Sequence, residues 1–222
     1  HVGFSETIYK SLYIRSKDVI HHSYTQYLRR KHPMRQSRLH KRSGDRRFIN
    51  IVNGVSIHER SKNIDNRKSL GHWEGDLVSG TENTHIATLV DRKSRFTIIL
   101  KLAGKDSSSV LEALLNVFKK MPAEYRKSLT WDRGMELAKH SEITKEIGLP
   151  VYFCDPQCPW QRGTNENTNS LIRQYFPKKT NLALHSQNRL SEVATQLNER
   201  PRKTLKYRTP SDMIENSVAL FT

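Results

Sequence analysis

Residues 71–101, GHWEGDLVSGTENTHIATLVDRKSRFTIILK, decide the fold class of this chain. The stretches HWEGDLVSG and THIATLVD, and the run FTIILKLAG that begins at Phe96, have the alternation or the β-branched content of strands, and DRKSR is the turn between the last two. Three strands in succession predict the first part of a sheet.

The residues after this segment alternate helices with strands. Asp106 is placed to cap a helix that runs through Lys120 and ends before Pro122, since apolar residues recur on one helical face: Val110, Leu111, Leu114, Val117 and Phe118. SLTWD and VYFCD are further strands, and helices are predicted at about 136–147, 163–175, 188–198 and 209–219. The predicted fold class is therefore α/β, with a five-stranded mixed sheet flanked by helices.

Positive charge is concentrated before this core. The 222 residues contain 38 Lys and Arg against 22 Asp and Glu, and residues 1–70 carry +11 of the net charge of +16. The stretch Arg29–Arg47 holds nine Lys and Arg and one acid. Such a block repels itself, which favours an arm that neutralises the phosphates of DNA or RNA over a solvated linker. The candidate contacts in it are Arg29, Arg30, Lys31, Arg35 and Arg38.

The chain is therefore predicted to divide into a basic, partly helical arm, residues 1–70, and a core, residues 71–222. Within the arm, SETIYKSLY (5–13) predicts a short helix, and the polar residues 54–67 are typical of a linker or an extended arm. Because the sequence starts at His1, we expect it to be part of a longer protein.

Composition excludes two classes of protein. No stretch has the roughly 18 apolar residues of a membrane-spanning helix. The two cysteines, Cys154 and Cys158, stand too close in sequence to cross-link a fold of this size, and no second Cys/His pair beside them completes a zinc site. We expect Cys154 to be a small core residue.

Three acids stand in settings that suit chemistry: Asp76 in GHWEGDL, Asp132 in LTWDRG and Glu166 in QRGTNENTNS. The aspartates lie on or after strands and the glutamate on a predicted helix, so a sheet with a helix beside it can bring them together. Converging carboxylates need cations between them, and oxygen ligands suit Mg2+ or Mn2+. Two such ions support an in-line displacement at phosphorus. Gly75 and Gly134 leave room beside the aspartates.

Other side chains near these acids have two open roles each. Arg162 and Arg173 flank Glu166, and Arg173, two helical turns beyond it, either meets a phosphate or forms a surface salt bridge. Glu74 is either a spare metal ligand or a supporting acid. We expect structural roles for His72, His85 and His140, and core positions for Trp73 and Trp131. Trp160 is either a core residue or a platform on which a base stacks.

A set of long motifs makes the chain resemble the transposases of the bacterial insertion sequence 30 family. The motifs are GHWEGDL, THIATLVDRKSRF, TWDRGMELAKH, VYFCDP, PWQRGTNENTNSLIRQYFPK and NERPRKTLKYRTP. The resemblance implies a ribonuclease H-like, retroviral-integrase-like fold with a metal-binding triad at Asp76, Asp132 and Glu166, and 33 residues separate the last two, as in the family. Two residues depart from the family text: Cys158 replaces an expected serine and Lys179 an expected glycine.

The resemblance also implies a function. We expect a transposase that uses two Mg2+ ions, with Mn2+ as a substitute, to cut DNA at element ends and join it to target DNA. The expected DNA contacts in the core are Arg162, Arg173 and Lys178, and residues 5–13 look like the last helix of the family's helix-turn-helix. Terminal inverted repeats, target DNA and further copies of the chain are the expected partners, in the bacterial cytoplasm at the nucleoid. Two alternatives stay open: a catalytically silent transposase-derived DNA-binding protein, and a hydrolytic nuclease of the same fold.

Overall fold

The computed structural model of the chain describes residues 53–214 and Tyr24. The chain divides into two compact units, His1–Arg46 and Arg47–Thr222, and residues 53–214 belong to the second. The helix predicted at 5–13 and the five cations predicted in the arm, Arg29, Arg30, Lys31, Arg35 and Arg38, lie outside the described residues. The functional division at residue 70 therefore stays a prediction.

The described residues form one mixed sheet whose strands run in the order β1-β6-β5-β2-β3-β4. β2 pairs antiparallel with β3 and parallel with β5, so it lies inside the sheet. The strand bounds are β1 Val55–Ser56, β2 His72–Ser79, β3 His85–Asp91, β4 Thr97–Lys101, β5 Ser128–Trp131 and β6 Val151–Phe153.

The prediction of five strands was wrong by one. β1 lies within residues 54–67, which were predicted to be a linker or an extended arm, and it pairs parallel with Tyr152 and Phe153 of β6. A strand of two residues is too short to show an alternating pattern in the sequence. It forms because it pairs with β6, which lies almost a hundred residues away in the chain.

The helices in residues 53–214 match four of the five predicted in the core, with shifted ends. Asp106 caps its helix as predicted, since its carboxylate accepts a hydrogen bond of 2.9 Å from the N–H of Ser109. The segment predicted to be helical from 136 instead has a 3-10 turn, Met135–Leu137, before its helix. At 209–219 the described part has a 3-10 turn, Asp212–Ile214, and residues 215–222 lie outside the described range. The α-helices are α1 Lys62–Asp65, α2 Ser107–Lys120, α3 His140–Ile147, α4 Gly163–Ile172 and α5 Gln187–Asn198.

Helices cover both faces of the sheet. α2 and α3 pack over one face in a cluster that contains Trp73 and Trp131, both of which are buried as predicted. α4 and α5 pack over the other face in a cluster that contains Val78. Because side chains alternate along a strand, Glu74 and Asp76 share the face of Val78 and point toward α4. Within residues 53–214 no helix is both long enough and apolar enough to cross a bilayer.

Gly75 of β2 is required by the packing of Trp131. A Cβ at this position would lie 2.1 Å from the nearest ring atom of Trp131, which is fully buried. We expect Gly75→Ala to lower the free energy of unfolding by about 1–3 kcal/mol through overpacking, measured by urea denaturation. Gly163→Ala is the matched control, because a Cβ there meets nothing within 4 Å. Equal stabilities of the two variants would contradict this account of the packing.

His72 at the start of β2 makes stability depend on pH. Burial, with the charges of Lys127, Arg92 and Arg60, lowers the pKa of His72 to about 4, and its Nδ1 lies 2.8 Å from the Ser128 hydroxyl. A lowered pKa means that the neutral ring stabilises the fold above about pH 6.5, and that this contribution is lost as the pH falls toward 4.

We therefore expect wild-type stability to fall between pH 6.5 and 4 by roughly 1–2 kcal/mol more than that of His72→Gln, after allowance for solvent screening at this half-buried site. Urea unfolding at several pH values measures the difference. Parallel pH profiles for the two proteins would rule out His72 as the source.

Candidate active site

Asp76 and Asp132 meet at the guanidinium of Arg162. Nη1 of Arg162 lies 3.2 Å from Oδ1 of Asp76, and Nη2 donates a hydrogen bond of 3.0 Å to Oδ2 of Asp132. Nη1 also donates to the backbone carbonyl of Gly75 at 2.7 Å. The Arg162 side chain is 13% exposed, against 29% for Asp76 and 31% for Asp132. One arginine is thus clamped between the two acids that the sequence singled out.

The charges in this cluster are strongly coupled. Burial raises the pKa of Asp76, the charge of Arg162 opposes the rise, and the charge of Asp132 adds to it. Burial alone would lower the pKa of Arg162, but Asp76 and Asp132 outweigh it and the net pKa is raised. Arg162 therefore stays charged, and a single positive charge faces two carboxylates.

Glu166 lies in the first turns of α4, the helix that packs against β2 and β3. Its side chain is exposed, and within residues 53–214 it makes no hydrogen bond or ion pair. In the same range no group of three or more His, Cys, Asp or Glu side chains is close enough to hold a metal ion. The structure thus joins two members of the predicted triad and leaves the third apart from them.

Glu74 is a supporting acid with its own partners. Its carboxylate is completely buried, with Oε1 accepting from Arg92 at 2.7 Å and Oε2 accepting from the backbone N–H of Asn165 at 2.9 Å. The Asn165 side chain donates back to the Glu74 carbonyl at 2.8 Å and to the Thr88 carbonyl at 3.2 Å. Both Glu74 oxygens are occupied, so this acid fixes the first turn of α4 to the sheet.

The upstream segment extends this network toward the surface, since the Asp65 side chain is 57% exposed. Asp65 at the end of α1 pairs with Arg92 at 3.4 Å and also with Arg60. Arg60 in turn donates a 2.9 Å hydrogen bond to the hydroxyl of Thr130, two residues before Asp132. Both arginine side chains are 5% exposed. Residues 60–65 are therefore part of the support of the site.

Asn169 is a site residue that the sequence analysis missed. Its Nδ2 donates a 3.0 Å hydrogen bond to Oδ2 of Asp76, and its Oδ1 accepts one of 2.9 Å from Thr88. Asn169 is one helical turn after Glu166, so the i, i+3 spacing on α4 was the available signal. With Arg162 on the other oxygen, Asn169 sets the orientation of the Asp76 carboxylate.

The other predicted DNA contacts differ in their settings. Arg173 is half-buried at the end of α4 and donates to the Ser79 carbonyl at 2.8 Å, without a salt bridge in the described range. Its Nη1 has no hydrogen-bond partner there. Lys178 is exposed. Trp160 is not a core residue, since it is 71% exposed, two residues before Arg162.

Two further histidines have contacts away from the two acids, whereas Cys154 lies close enough to Arg162 and Asp132 to interact with their charges. His140 contacts the carbonyl of Asn53 at 3.2 Å, and His85 contacts the side chain of Asn83 at 3.1 Å. Cys154 is buried, as predicted, and burial raises the pKa of its thiol to about 12.

The donor set at Asp76 and Asp132 fits a divalent cation. Oδ1 of Asp132 is buried and has no hydrogen-bond partner within residues 53–214, although a buried carboxylate oxygen normally has one. The position between the acids already accommodates the positive charge of Arg162. Carboxylate oxygens are the ligands that Mg2+ and Mn2+ prefer.

Comparisons with known proteins agree with this architecture. Residues 66–159 match the model of the integrase core domain family, a range that contains Asp76 and Asp132. Among solved structures, the catalytic core of BIV integrase gives a TM-score of 0.50 at 17% identity over 68% of this chain and 99% of that chain. A chain of the simian T-cell lymphotropic virus intasome gives 0.51 at 20% identity over 64% of this chain and 53% of that one. These neighbours confirm the predicted ribonuclease H-like fold class.

Curated relatives resemble the chain over almost its full length. Transposase InsI of insertion sequence element IS30A from Escherichia coli is 68% identical over 215 residues, which are 97% of this chain and 56% of the relative. The transposase of IS1086 from Cupriavidus metallidurans is 40% identical over 96% of this chain and 62% of the relative. The chain thus spans somewhat more than half the length of these relatives. On this identity, and on the integrase core domain matched by residues 66–159, the chain is similar to the IS30 transposases over 97% of its length.

Proposed function

We propose that the chain is the catalytic part of a DNA transposase that cuts DNA at the ends of an insertion element and transfers the strands into target DNA. The observation that carries this proposal is the convergence of Asp76 and Asp132 on one partly buried cation, Arg162, on the sheet face covered by the helix of Glu166. The similarity to IS30 transposases favours DNA as the substrate, and the net charge of +16 suits a polyanion.

Asp76, Asp132 and Glu166 would hold two Mg2+ ions, or Mn2+ in their place. Such ions, when bound, activate an attacking oxygen and stabilise the leaving oxygen in a displacement at phosphorus. The chain's own residues set up the site: Asn169 orients Asp76, Glu74 fixes the start of α4, and Arg162 offsets carboxylate charge.

Cleavage by water would release a 3′-hydroxyl, which would attack a second phosphodiester in the same site. The reaction needs no covalent bond to the protein. Terminal inverted repeats and target DNA would be the substrates, and because two element ends must meet, a homodimer or larger assembly would act on them. Acting on chromosomal and element DNA, the protein would work in the bacterial cytoplasm, at the nucleoid.

The three acids are expected to be required for chemistry and not for binding. Asp76→Asn, Asp132→Asn and Glu166→Gln should each reduce cutting and joining of a labelled element end by at least 1,000-fold, on the order of 4 kcal/mol in the barrier, while DNA affinity changes little. The assay uses the chain joined to the upstream residues of a relative, with Mg2+ and a target plasmid, and replacement of Mg2+ by EDTA should abolish both products.

The same assay separates the candidate functions. Joined products support the transposase, nicks without joining support a hydrolytic nuclease, and shifted but uncut DNA supports a silent DNA-binding protein. Glu142→Gln is a matched control on α3, over the opposite face of the sheet, and should act like the wild type. Cutting by the Glu166→Gln variant at the wild-type rate would overturn the assignment of the triad.

Arg162 is expected to compete with a metal ion for Asp76 and Asp132. Removing the guanidinium in Arg162→Gln leaves two carboxylates without their shared cation, so the metal-free protein should be less stable and Mg2+ should raise its melting temperature more than that of the wild type. Calorimetry without DNA, over a range of Mg2+ concentrations, measures both effects.

Arg173→Gln serves as the control, because Arg173 contacts a backbone carbonyl and neither aspartate. Its response to Mg2+ should equal that of the wild type. An Arg162→Gln protein whose melting temperature responds to Mg2+ no more strongly than that of the wild type would show that Arg162 does not compete with a metal ion for the two aspartates.

A further inference from the structure

A basic loop follows α5, and the proposed chemistry does not use it. This loop, residues 199–208 (ERPRKTLKYR), has five Lys and Arg against one acid. Lys203, Lys206, Tyr207 and Arg208 are exposed, and Tyr207 is 71% exposed. It is therefore a dense group of positive charges within the core, outside the basic arm in sequence.

Backbone hydrogen bonds close the loop into a fixed shape. The N–H of Arg202 donates to the carbonyl of Arg208 at 3.0 Å, and the N–H of Tyr207 donates back to the carbonyl of Arg202 at 2.9 Å. The Arg202 guanidinium donates to the Leu197 carbonyl at 2.9 Å. The loop thus holds its cations without help from a ligand.

Two adjacent residues of the loop are strained. Lys206 has φ 54° and Tyr207 has φ 67°, in the left-handed region where side chains other than that of Gly are disfavoured. Such strain persists where the surrounding structure fixes it, and it concentrates at binding and catalytic sites. A glycine would remove it, but here the positions carry a cation and an aromatic ring, the groups that bind nucleic acid.

The loop is anchored to the framework that supports Glu166. Asn198, the last residue of α5, accepts from the N–H of Thr97 at 2.8 Å and donates to its carbonyl at 2.9 Å. Arg95, two residues before Thr97, donates a 2.5 Å hydrogen bond to Thr164 in the first turn of α4. The loop therefore starts beside edge strand β4, on the side of the sheet that carries the start of α4.

Within residues 53–214 the side chains of Lys203 and Lys206 form no ion pair or hydrogen bond, so their charge is not used inside the core. Arg208 lies near Asp212, whose carboxylate accepts a hydrogen bond from the N–H of Thr209. Cations around an exposed aromatic ring match the combination with which proteins bind the phosphates and bases of DNA.

We propose that the basic loop is a second DNA-binding surface of the core, in which Lys203, Lys206 and Arg208 contact backbone phosphates and Tyr207 packs against a sugar or an exposed base. This inference rests on the proposed function for the identity of the polyanion. It assigns the loop a role that neither the arm nor the residues around Asp76 and Asp132 fill.

The test measures DNA affinity of the full chain against salt concentration, without divalent ions, so that binding is independent of cutting. The triple variant Lys203→Ala, Lys206→Ala, Arg208→Ala should reduce the slope of log affinity against log salt by about 3 and the affinity at 0.15 M salt on the order of a hundredfold. Lys120→Ala, Lys139→Ala, Lys145→Ala removes the same charge from exposed positions over the opposite face, and its slope should stay close to that of the wild type.

Two single variants separate binding from folding. Lys206→Gly relieves the strained backbone, so it should raise the melting temperature while it reduces the salt slope by about 1. Wild-type protein should cross-link through Tyr207 to DNA that carries 5-iododeoxyuridine, and Tyr207→Ala should lose that cross-linked peptide in mass spectrometry.

Equal salt slopes for the two triple variants, or no cross-link at Tyr207, would overturn the proposal. If the loop instead binds an acidic surface on a second copy of the chain, the triple loop variant should form a smaller assembly than the wild type in sedimentation velocity without DNA. Its salt slope for DNA binding should then equal that of the wild type, and this result would also overturn the proposal. A chain that binds DNA through the loop but never cuts it would contradict the proposed function and leave this inference standing.

Discussion

The buried charge of Glu74 is the constraint on which the position of α4 depends. A carboxylate removed from water costs several kcal/mol unless its oxygens are compensated, and here Arg92 compensates one oxygen and the first turn of α4 the other. An amide N–H in the first turn of a helix also carries part of the positive end of the helix dipole. If either partner moved away, the negative charge of Glu74 would stay in the protein interior without compensation. Glu74 therefore fixes the helix that carries Glu166 and Asn169 against β2. This attachment lies two residues before Asp76 in the strand.

Asp76 is in the opposite situation, although it lies on the same face of the same strand. Its neighbour Asp132 leaves the pair with two negative charges and one shared arginine, so compensation is incomplete, and Oδ1 of Asp132 has no partner within residues 53–214. Bringing Glu166 closer would add a third negative charge that Arg162 cannot offset. A divalent cation can offset it. This residual charge distinguishes Asp76, which is proposed to bind a cation, from Glu74, whose charge Arg92 and the Asn165 N–H already compensate.

Most of the architecture followed from local sequence because local physics determines it. The strands from His72 to Lys101 are continuous β-branched or alternating runs, and the helix after Asp106 has both its cap and its apolar stripe. What the sequence did not reveal depends on distant partners. β1 exists because β6 pairs with it, and the role of Asn169 depends on the crossing of α4 over β2. For Glu74 the sequence left two roles open, because the spacing that places it beside Asp76 says nothing about Arg92.

The position of Arg162 also explains why cations that serve DNA should stand away from the acids. The Arg162 guanidinium contacts both Asp76 and Asp132 and is only 13% exposed. Its N–H donors and its charge are therefore less available to a phosphate. Lys203 and Lys206 have no carboxylate partner in the described range, and the closed backbone of residues 199–208 holds them outward. The proposed metal site needs carboxylates whose charge is not fully compensated, and the proposed DNA-binding loop needs cations that no carboxylate occupies. Separating the two kinds of charge along the chain would let one surface hold a polyanion while another keeps an affinity for cations.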